Sequence, residues 1–334
     1  MADRAVAVLA GGLSHERDVS LRSGRRLSSA LRDSGLHVEE WDADARLIGR
    51  LTTSRPDAVV VALHGGVGEN GAVQSVLEML QVPYVGADSR ACRRAWDKPT
   101  AKAELARAGL ATPEWIALPH VTFRDLGAHD VLDALIARLG LPLILKPPQG
   151  GSALGLHVVR EASELPGAIV GCLAYGDTVL AERFVEGVEV AVTVLDGPDG
   201  PRALPAVEIE ATSGFYDYAA RYTAGLATFH APARLTAEAA GAVADLALSA
   251  HRLLGLRDVS RTDAVVTSDG IAHFLEVNVA PGLTETSLLP MAIESDGTDL
   301  GTVYATLIDR ALARSSTPFP PSPRHGDISG SRTP

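Results

Sequence analysis

Residues 260–290 read SRTDAVVTSDGIAHFLEVNVAPGLTETSLLP, and the fold turns on how this stretch pairs with itself. Apolar and β-branched residues alternate with polar ones in RTDAVVT and IAHFLEVN, and Ser268-Asp269-Gly270 between them is a turn signal. A β-hairpin is expected. With Asp269 and Gly270 as its central pair, Ser268 faces Ile271, Asp263 faces Glu276 and Arg261 faces Asn278. The four last-named side chains then share one face, because residues two apart on a strand point the same way. Two carboxylates so close raise one another's pKa unless a cation lies between them. A set of Asp263, Glu276 and Asn278 oxygens suits Mg²⁺ or Mn²⁺ rather than zinc. Mg²⁺ keeps several waters and is completed by substrate phosphates, which points to a nucleotide. The alternative is a solvent-facing polar stripe. Against it stand the apolar second strand and the loop Ala280-Pro281-Gly282-Leu283-Thr284 that follows, where glycine lets the backbone approach a ligand. Everything depends on register, since a hairpin loop one residue longer would move Asp263 off its partner.

The 334 residues exceed one comfortable core, so two or three domains are expected. Hydrophobic content of 46% supports large cores, while no apolar run approaches the roughly 20 residues that span a bilayer, so no membrane partner is expected. The opening MADRAVAVLAGG is too short in apolar residues for a signal peptide and reads as a first strand. Cys92 and Cys172 are the only cysteines, which excludes a disulfide framework and a CxxC knuckle and indicates a cytoplasmic protein. A net charge of -11 without a Lys/Arg stripe argues against nucleic acid as a partner.

Working back to the N-terminus, an apolar strand over residues 4–10 runs into Gly11-Gly12-Leu13-Ser14-His15-Glu16-Arg17-Asp18-Val19-Ser20, followed by a helical pattern to about Ser34. A glycine turn between strand and helix is where open α/β sheets bind ligands. Glu16 and Arg17 beside it are either site residues or surface charges at a helix start. Further strands at 37–41 and 57–64 and a helix over 72–80 complete a βαβ-like unit ending at 84–86. The loop HGGVGENG, His64 to Gly71, sits at the carboxyl end of its third strand; four glycines suit close backbone approach or plain flexibility. Asp97 and Pro99 open a helix to about Leu110, with Lys98 at its start, an unfavourable place for a cation unless an anion is near.

Leu141 to Lys146 reads as a buried strand ending on lysine, and Pro147-Pro148-Gln149-Gly150-Gly151-Ser152-Ala153-Leu154-Gly155 leads to a return strand over 156–160. An ammonium with glycine amides behind it can hold phosphate, although no GK[ST] occurs; a snorkelling lysine on a loose hairpin is the other reading. Glu182 and Glu189, around a strand over 178–185, are candidates for an adenosine site or plain surface acids. Residues 190–209 alternate as strands. Ser213 to Tyr222, SGFYDYAARY, is aromatic and aperiodic, and with its continuation to Pro232 reads as a lid or as a static aromatic cluster. Thr236 caps a helix to Leu254, 298–313 forms the last helix, and 314–334, rich in Ser, Pro and Gly, reads as disordered.

Taken together, the chain from Ala5 to about Ala313 resembles the ATP-grasp superfamily and, within it, the D-alanine–D-alanine ligase family. The motifs GG-x-S-x-E-R-x-[VI]-S, HG-x-x-GE-[DN]-G and FYDY-x-x-[KR]-Y occur in order and at family-like spacing. The resemblance implies an α/β ATP-grasp fold: an N-terminal open α/β sheet domain over 1–96, a small central domain over 97–186, and a C-terminal domain over 187–313 with an antiparallel sheet and a lid at 211–232. It implies ATP, D-alanine and two Mg²⁺ or Mn²⁺ ions as ligands, and a homodimer. Lys98 and Lys146 would contact ATP phosphates, Gly151 and Ser152 cover them, and Glu182 and Glu189 hold adenine and ribose. Asp263, Glu276 and Asn278 fall on the metal ligands, and Arg261 and the Gly282 amide on the oxyanion site. Glu16 would hold the first D-alanine beside His64, Tyr222 link Glu16 and Ser152 on closure, and Ser287 and Leu288 form the second amino-acid pocket.

Three departures stand out: Ala153 where a second loop hydroxyl is common, Arg221 where Lys is usual, and Ala280 in place of Ser or Thr. They bear on efficiency and substrate choice. Rival readings are a sibling ligase taking another amino or hydroxy acid, a biosynthetic or self-resistance paralogue, and a dinucleotide-binding protein, which would need a GxGxxG with an acid about 20 residues on. Neither occurs.

Overall fold

The computed structural model describes residues 4–212, 214, 216, 221, 223 and 225–315. Tyr222, most of the aromatic lid stretch and all but the first two residues of the expected disordered tail lie outside the described residues. Three sheets organise the rest. The first is parallel, in the order β2-β1-β3-β4, from β1 (Ala5–Ala10), β2 (His37–Asp42), β3 (Ala58–Val61) and β4 (Tyr84–Val85). AVAVLA and AVVV are continuous apolar runs because such strands are covered on both faces. Val6 and Val8 face α1 (Arg17–Asp33) and the last helix; Ala7 and Leu9 face α2 (Leu47–Ser54) and α3 (Ala72–Met79). The third strand is four residues, shorter than the expected 57–64, and hands over early to the glycine loop beginning at His64.

Helices α4 (Ser89–Trp96) and α5 (Lys98–Arg107) follow, each capped by an aspartate: Asp88 accepts from the Ala91 amide and Asp97 from the Thr100 amide. The second sheet is antiparallel, β5-β8-β6-β7, from β5 (Trp115–Pro119), β6 (Leu143–Lys146), β7 (His157–Val159) and β8 (Thr178–Arg183). After β5 come α6 (His120–Asp125) and α7 (Ala128–Leu139), and α7 and α8 (Leu165–Leu173) close the core over this sheet. The third runs β12-β11-β9-β13-β14 with β10 on β9, built from β9 (Val188–Gly197), β10 (Gly200–Ala203), β11 (Val207–Ala211), β12 (Ala227–His230), β13 (Val259–Val266) and β14 (Ala272–Asn278). Along β9 the pleat sends Val190, Val192 and Val194 towards α4, α5 and α9 (Ala237–Leu253). Ala191 and Leu195 go to the opposite core, shared with α1, α10 (Leu288–Ser295) and α11 (Leu300–Ser315).

The β13–β14 hairpin corrects one expectation and keeps another. Near its tip Val266 pairs with Ala272 and Ala264 with Phe274, one residue out of the expected register, because the tip is Ser268-Asp269-Gly270 closed by the Ile271 carbonyl accepting from the Thr267 amide. A β-bulge beside Leu275 then inserts the missing residue, so that Asp263 pairs with Glu276 and Arg261 with Asn278 after all.

Close packing of α1 on β1 needs Gly24, where a Cβ would lie 2.5 Å from the Ala10 Cβ. Gly→Ala inside a helix ordinarily stabilises by up to about 1 kcal/mol. At Gly24 the sign should reverse: Gly24→Ala is expected to lose about 1–3 kcal/mol through overpacking, read as a lower midpoint in denaturant unfolding.

Candidate active site

The three sheets bring their loops to one place. Glu16 precedes α1 and its carboxylate accepts from the Ser152 hydroxyl, which the β6–β7 loop carries in a left-handed conformation. Gly151 backs the same carboxylate, whose oxygen would stand 3.1 Å from a Cβ there. Arg17, expected beside Glu16, turns away: it donates to Asp42 and to the Gly12 carbonyl and belongs to the sheet edge.

Lys98 finds the anion that its helix start lacked. Its Nζ lies 3.3 Å from Glu276 and donates to the Gly150 carbonyl at 2.7 Å. Glu276 is therefore not in conflict with Asp263. Burial pushes its carboxyl up, but Lys98, Lys146, Arg221 and Arg261 outweigh burial and hold it well below the ordinary carboxylate range. Asp263 is gripped by Arg261 through Nε and Nη2, both at 2.7 Å. Asn278 Oδ1 accepts from the Ala280 amide at 2.8 Å. The protein's own cations thus neutralise the carboxylate pair.

Deeper in, Glu182 is buried between two lysines, with Lys146 and Lys102 each 2.8 Å from one of its oxygens. Burial pushes the Lys102 ammonium down to about 8, and Glu182 works against it. Lys102 follows Lys98 by four residues, so both leave one face of α5; that spacing could have flagged it. The Glu189 carboxyl is pushed up to about 7 by desolvation, with Asp263 and Glu276 adding to it. Glu208, Glu210 and His230 lie close enough to share an ion, but Arg234 already donates to both carboxylates.

On the other side, buried His64 has a fixed tautomer. Its Nδ1 is 3.0 Å from the Ala280 carbonyl, which can only accept, so Nδ1 carries the proton and Nε2 accepts from the Ser23 hydroxyl at 2.7 Å. Burial lowers its pKa to about 4. Gly282 is pressed against Ser287, whose Oγ would be 2.8 Å from a Cβ there, and Ser287 Oγ accepts from the Thr284 amide.

These groups line two adjoining cavities that share Lys98, Gly151, Arg221 and Glu276. The first holds Glu16, His64, Ser152, Arg261, Asn278, Gly282, Ser287 and Leu288. The second, about 690 Å³, holds Lys146, Glu182, Glu189 and Asp263. Every site residue expected from the sequence except Tyr222 lines one or the other.

Two family descriptions match the chain: "D-ala D-ala ligase C-terminus" over residues 105–310 and "D-ala D-ala ligase N-terminus" over residues 35–87. A D-alanine–D-alanine ligase of Anaeromyxobacter sp. strain K is 39% identical over 310 residues, 93% of this chain and 97% of the relative. The chain belongs to the D-alanine–D-alanine ligase family. Among solved structures, the D-alanine–D-alanine ligase of Bacillus anthracis complexed with ATP superposes with a TM-score of 0.79 at 27% identity, covering 94% of this chain and 99% of that one. The VanG D-Ala:D-Ser ligase of Enterococcus faecalis gives 0.78 at 26%, covering 93% and 100%. The fold is thus that of the ATP-grasp ligases. Among the described residues no helix is long and apolar enough to cross a membrane.

Glu69, which the sequence shows only as part of the glycine loop His64 to Gly71, is a further buried acid of the site. It accepts from the Gly65 amide at 2.7 Å, and burial first, then neighbouring Glu16, push its carboxyl well above the ordinary value. The folded state therefore binds this proton more tightly than the unfolded chain, and stability is lost as pH rises above the unfolded value of 4.5. Glu69→Gln removes that titration. Its unfolding free energy relative to the parent is expected to grow by on the order of 1 kcal/mol per pH unit across this window, measured by denaturant unfolding at a series of pH values; a gap constant with pH would contradict it.

Proposed function

We propose that this chain joins two D-alanines to D-alanyl-D-alanine at the cost of ATP, forming ADP and phosphate through a D-alanyl phosphate, for peptidoglycan precursor synthesis in the cytoplasm. The observation that carries the reading is the convergence of phosphate-holding lysines, an all-oxygen acid pair and an arginine with a glycine amide in two joined cavities. In this reading residues 1–96 present the first substrate, 97–186 hold the nucleotide and 187–313 carry the chemistry, with 211–232 as the lid; the enzyme acts as a homodimer.

Lys98 and Lys146 neutralise and orient the triphosphate, and the Gly151–Ser152 loop covers it. Glu182 and Glu189 contact adenine and ribose. The oxygens of Asp263, Glu276 and Asn278 fit Mg²⁺ or Mn²⁺, two ions in all, which when bound would offset phosphate charge. Glu16 holds the ammonium of the first D-alanine, beside His64, so that its carboxylate faces the γ-phosphate in line, and positioning of this kind is most of phosphoryl-transfer catalysis. The second D-alanine lies against Ser287 and Leu288. When its amine attacks the acyl phosphate carbonyl, Arg261, whose grip on Asp263 leaves its Nη1 edge for the ligand, and the Gly282 amide stabilise the oxyanion, a contribution of roughly 3–4 kcal/mol per donor. Tyr222 closes the site over Glu16 and Ser152 and keeps water from the acyl phosphate.

Phosphate release should require ATP, Mg²⁺ and D-alanine together, in a panel with L-amino acids, D-serine and D-lactate. Glu276→Gln should lower kcat by about 10²-fold or more while the protein still folds; turnover like the parent's would remove Glu276 from the site. An amine attacks only after losing its proton, so dipeptide formation is expected to rise from neutral to mildly alkaline pH. D-lactate at equal concentration should yield little ester at near-neutral pH, and ester as the major product would favour a sibling ligase.

A further inference from the structure

We infer that Ser23 and Arg26, one turn apart on α1, are positioning residues for the second amino acid: they grip the main chain of residues 280–284 and so place the Gly282 amide and the Ser287 pocket. The inference rests on the ligase reading above and adds to it the residues that hold its second subsite.

The loop has no regular structure of its own between β14 and α10. It is held from outside. Ser23 Oγ accepts from the Leu283 amide at 3.1 Å and gives its own proton to His64 Nε2, and His64 Nδ1 in turn donates to the Ala280 carbonyl. Arg26 takes the opposite polarity, donating through Nη1 to the Thr284 carbonyl at 2.6 Å and the Leu283 carbonyl at 3.4 Å. Donors and acceptors on both sides of Gly282 are therefore fixed to α1, the helix that begins next to Glu16. Glu16 serves the first amino acid and residues 282–287 the second, so α1 sets the distance between the two substrates. Ser23 and Leu283 are buried, whereas Arg26 keeps about a quarter of its side chain exposed, 26%, and can be replaced without opening a core.

The test separates the Michaelis constants of first and second D-alanine and follows phosphate and dipeptide together in the parent, Arg26→Ala, Arg26→Lys and Ser23→Ala. Arg26→Ala should raise the constant for the second D-alanine by roughly tenfold while those for the first and for ATP stay within about twofold. Phosphate should then exceed dipeptide at low D-alanine, because the acyl phosphate waits for its nucleophile and meets water. Arg26→Lys should recover part of the loss, since one ammonium can reach one of the two carbonyls. Ser23→Ala strands the Leu283 amide and His64 Nε2 and should do more; if it fails to fold, Arg26→Ala decides alone. Unchanged constants and a one-to-one product ratio in Arg26→Ala overturn the inference, and so does an equal change in all three constants with a lower melting temperature, the mark of a merely structural contact. A parent that makes no dipeptide overturns the ligase reading itself, and this inference with it, before any variant is compared.

Discussion

The ion pair between Lys98 and Glu276 is the contact on which the site depends. Lys98 opens α5, which packs on the third sheet, and Glu276 lies on β14, the edge strand of that sheet. The Gly150 carbonyl that shares the lysine belongs to the loop carrying Ser152, and Ser152 reaches back to Glu16 beside the first sheet. Three short polar links thus meet around one space that all three sheets border. None of the sheets alone supplies all the residues that line it.

Those links are charged and partly dry, which fixes their electrostatics. A carboxylate taken out of water needs a partner, and three acids of the second cavity have one: Glu182 two lysines, Asp263 an arginine, Glu276 a lysine. Burial instead pushes up the carboxyls of Glu189 in that cavity and of Glu69 in the first. Glu69, with Glu16 as its neighbour and a single amide donor, is pushed well above the ordinary carboxylate value. The site thus sets fixed cations against most of its acids and biases the Glu69 carboxyl towards its neutral form beside Glu16.

Much of this was legible in the residues. Parallel strands announce themselves as AVAVLA and AVVV, the aspartate before α5 caps it, and the Asp263–Glu276 pairing follows from alternation. That pairing was reached through a register that fails at the tip and is restored by the bulge at Leu275, and no local pattern marks a bulge among apolar strand residues. Partnerships across the chain were less visible. Nothing near Arg17 says that Asp42 will claim it rather than the ligand, and Lys102 looks like any helix lysine until Glu182 is placed above it. Ser23 sits in a helix where serine is commonplace; its role appears only when the loop 260 residues later folds against it. Short-range periodicity fixes elements, whereas side-chain partners are decided by which layers meet.

The bulge at Leu275 also has a bearing on how such a hairpin can vary over generations. It lets Phe274 and Val277, three residues apart, face the same core while Glu276 and Asn278 face the cavities. Straightening the strand at Leu275 after loss of a tip residue would keep Asp263 opposite Glu276 but turn Phe274 out of that core. The length of the tip is thereby held by the packing beneath the hairpin and not left free at the surface.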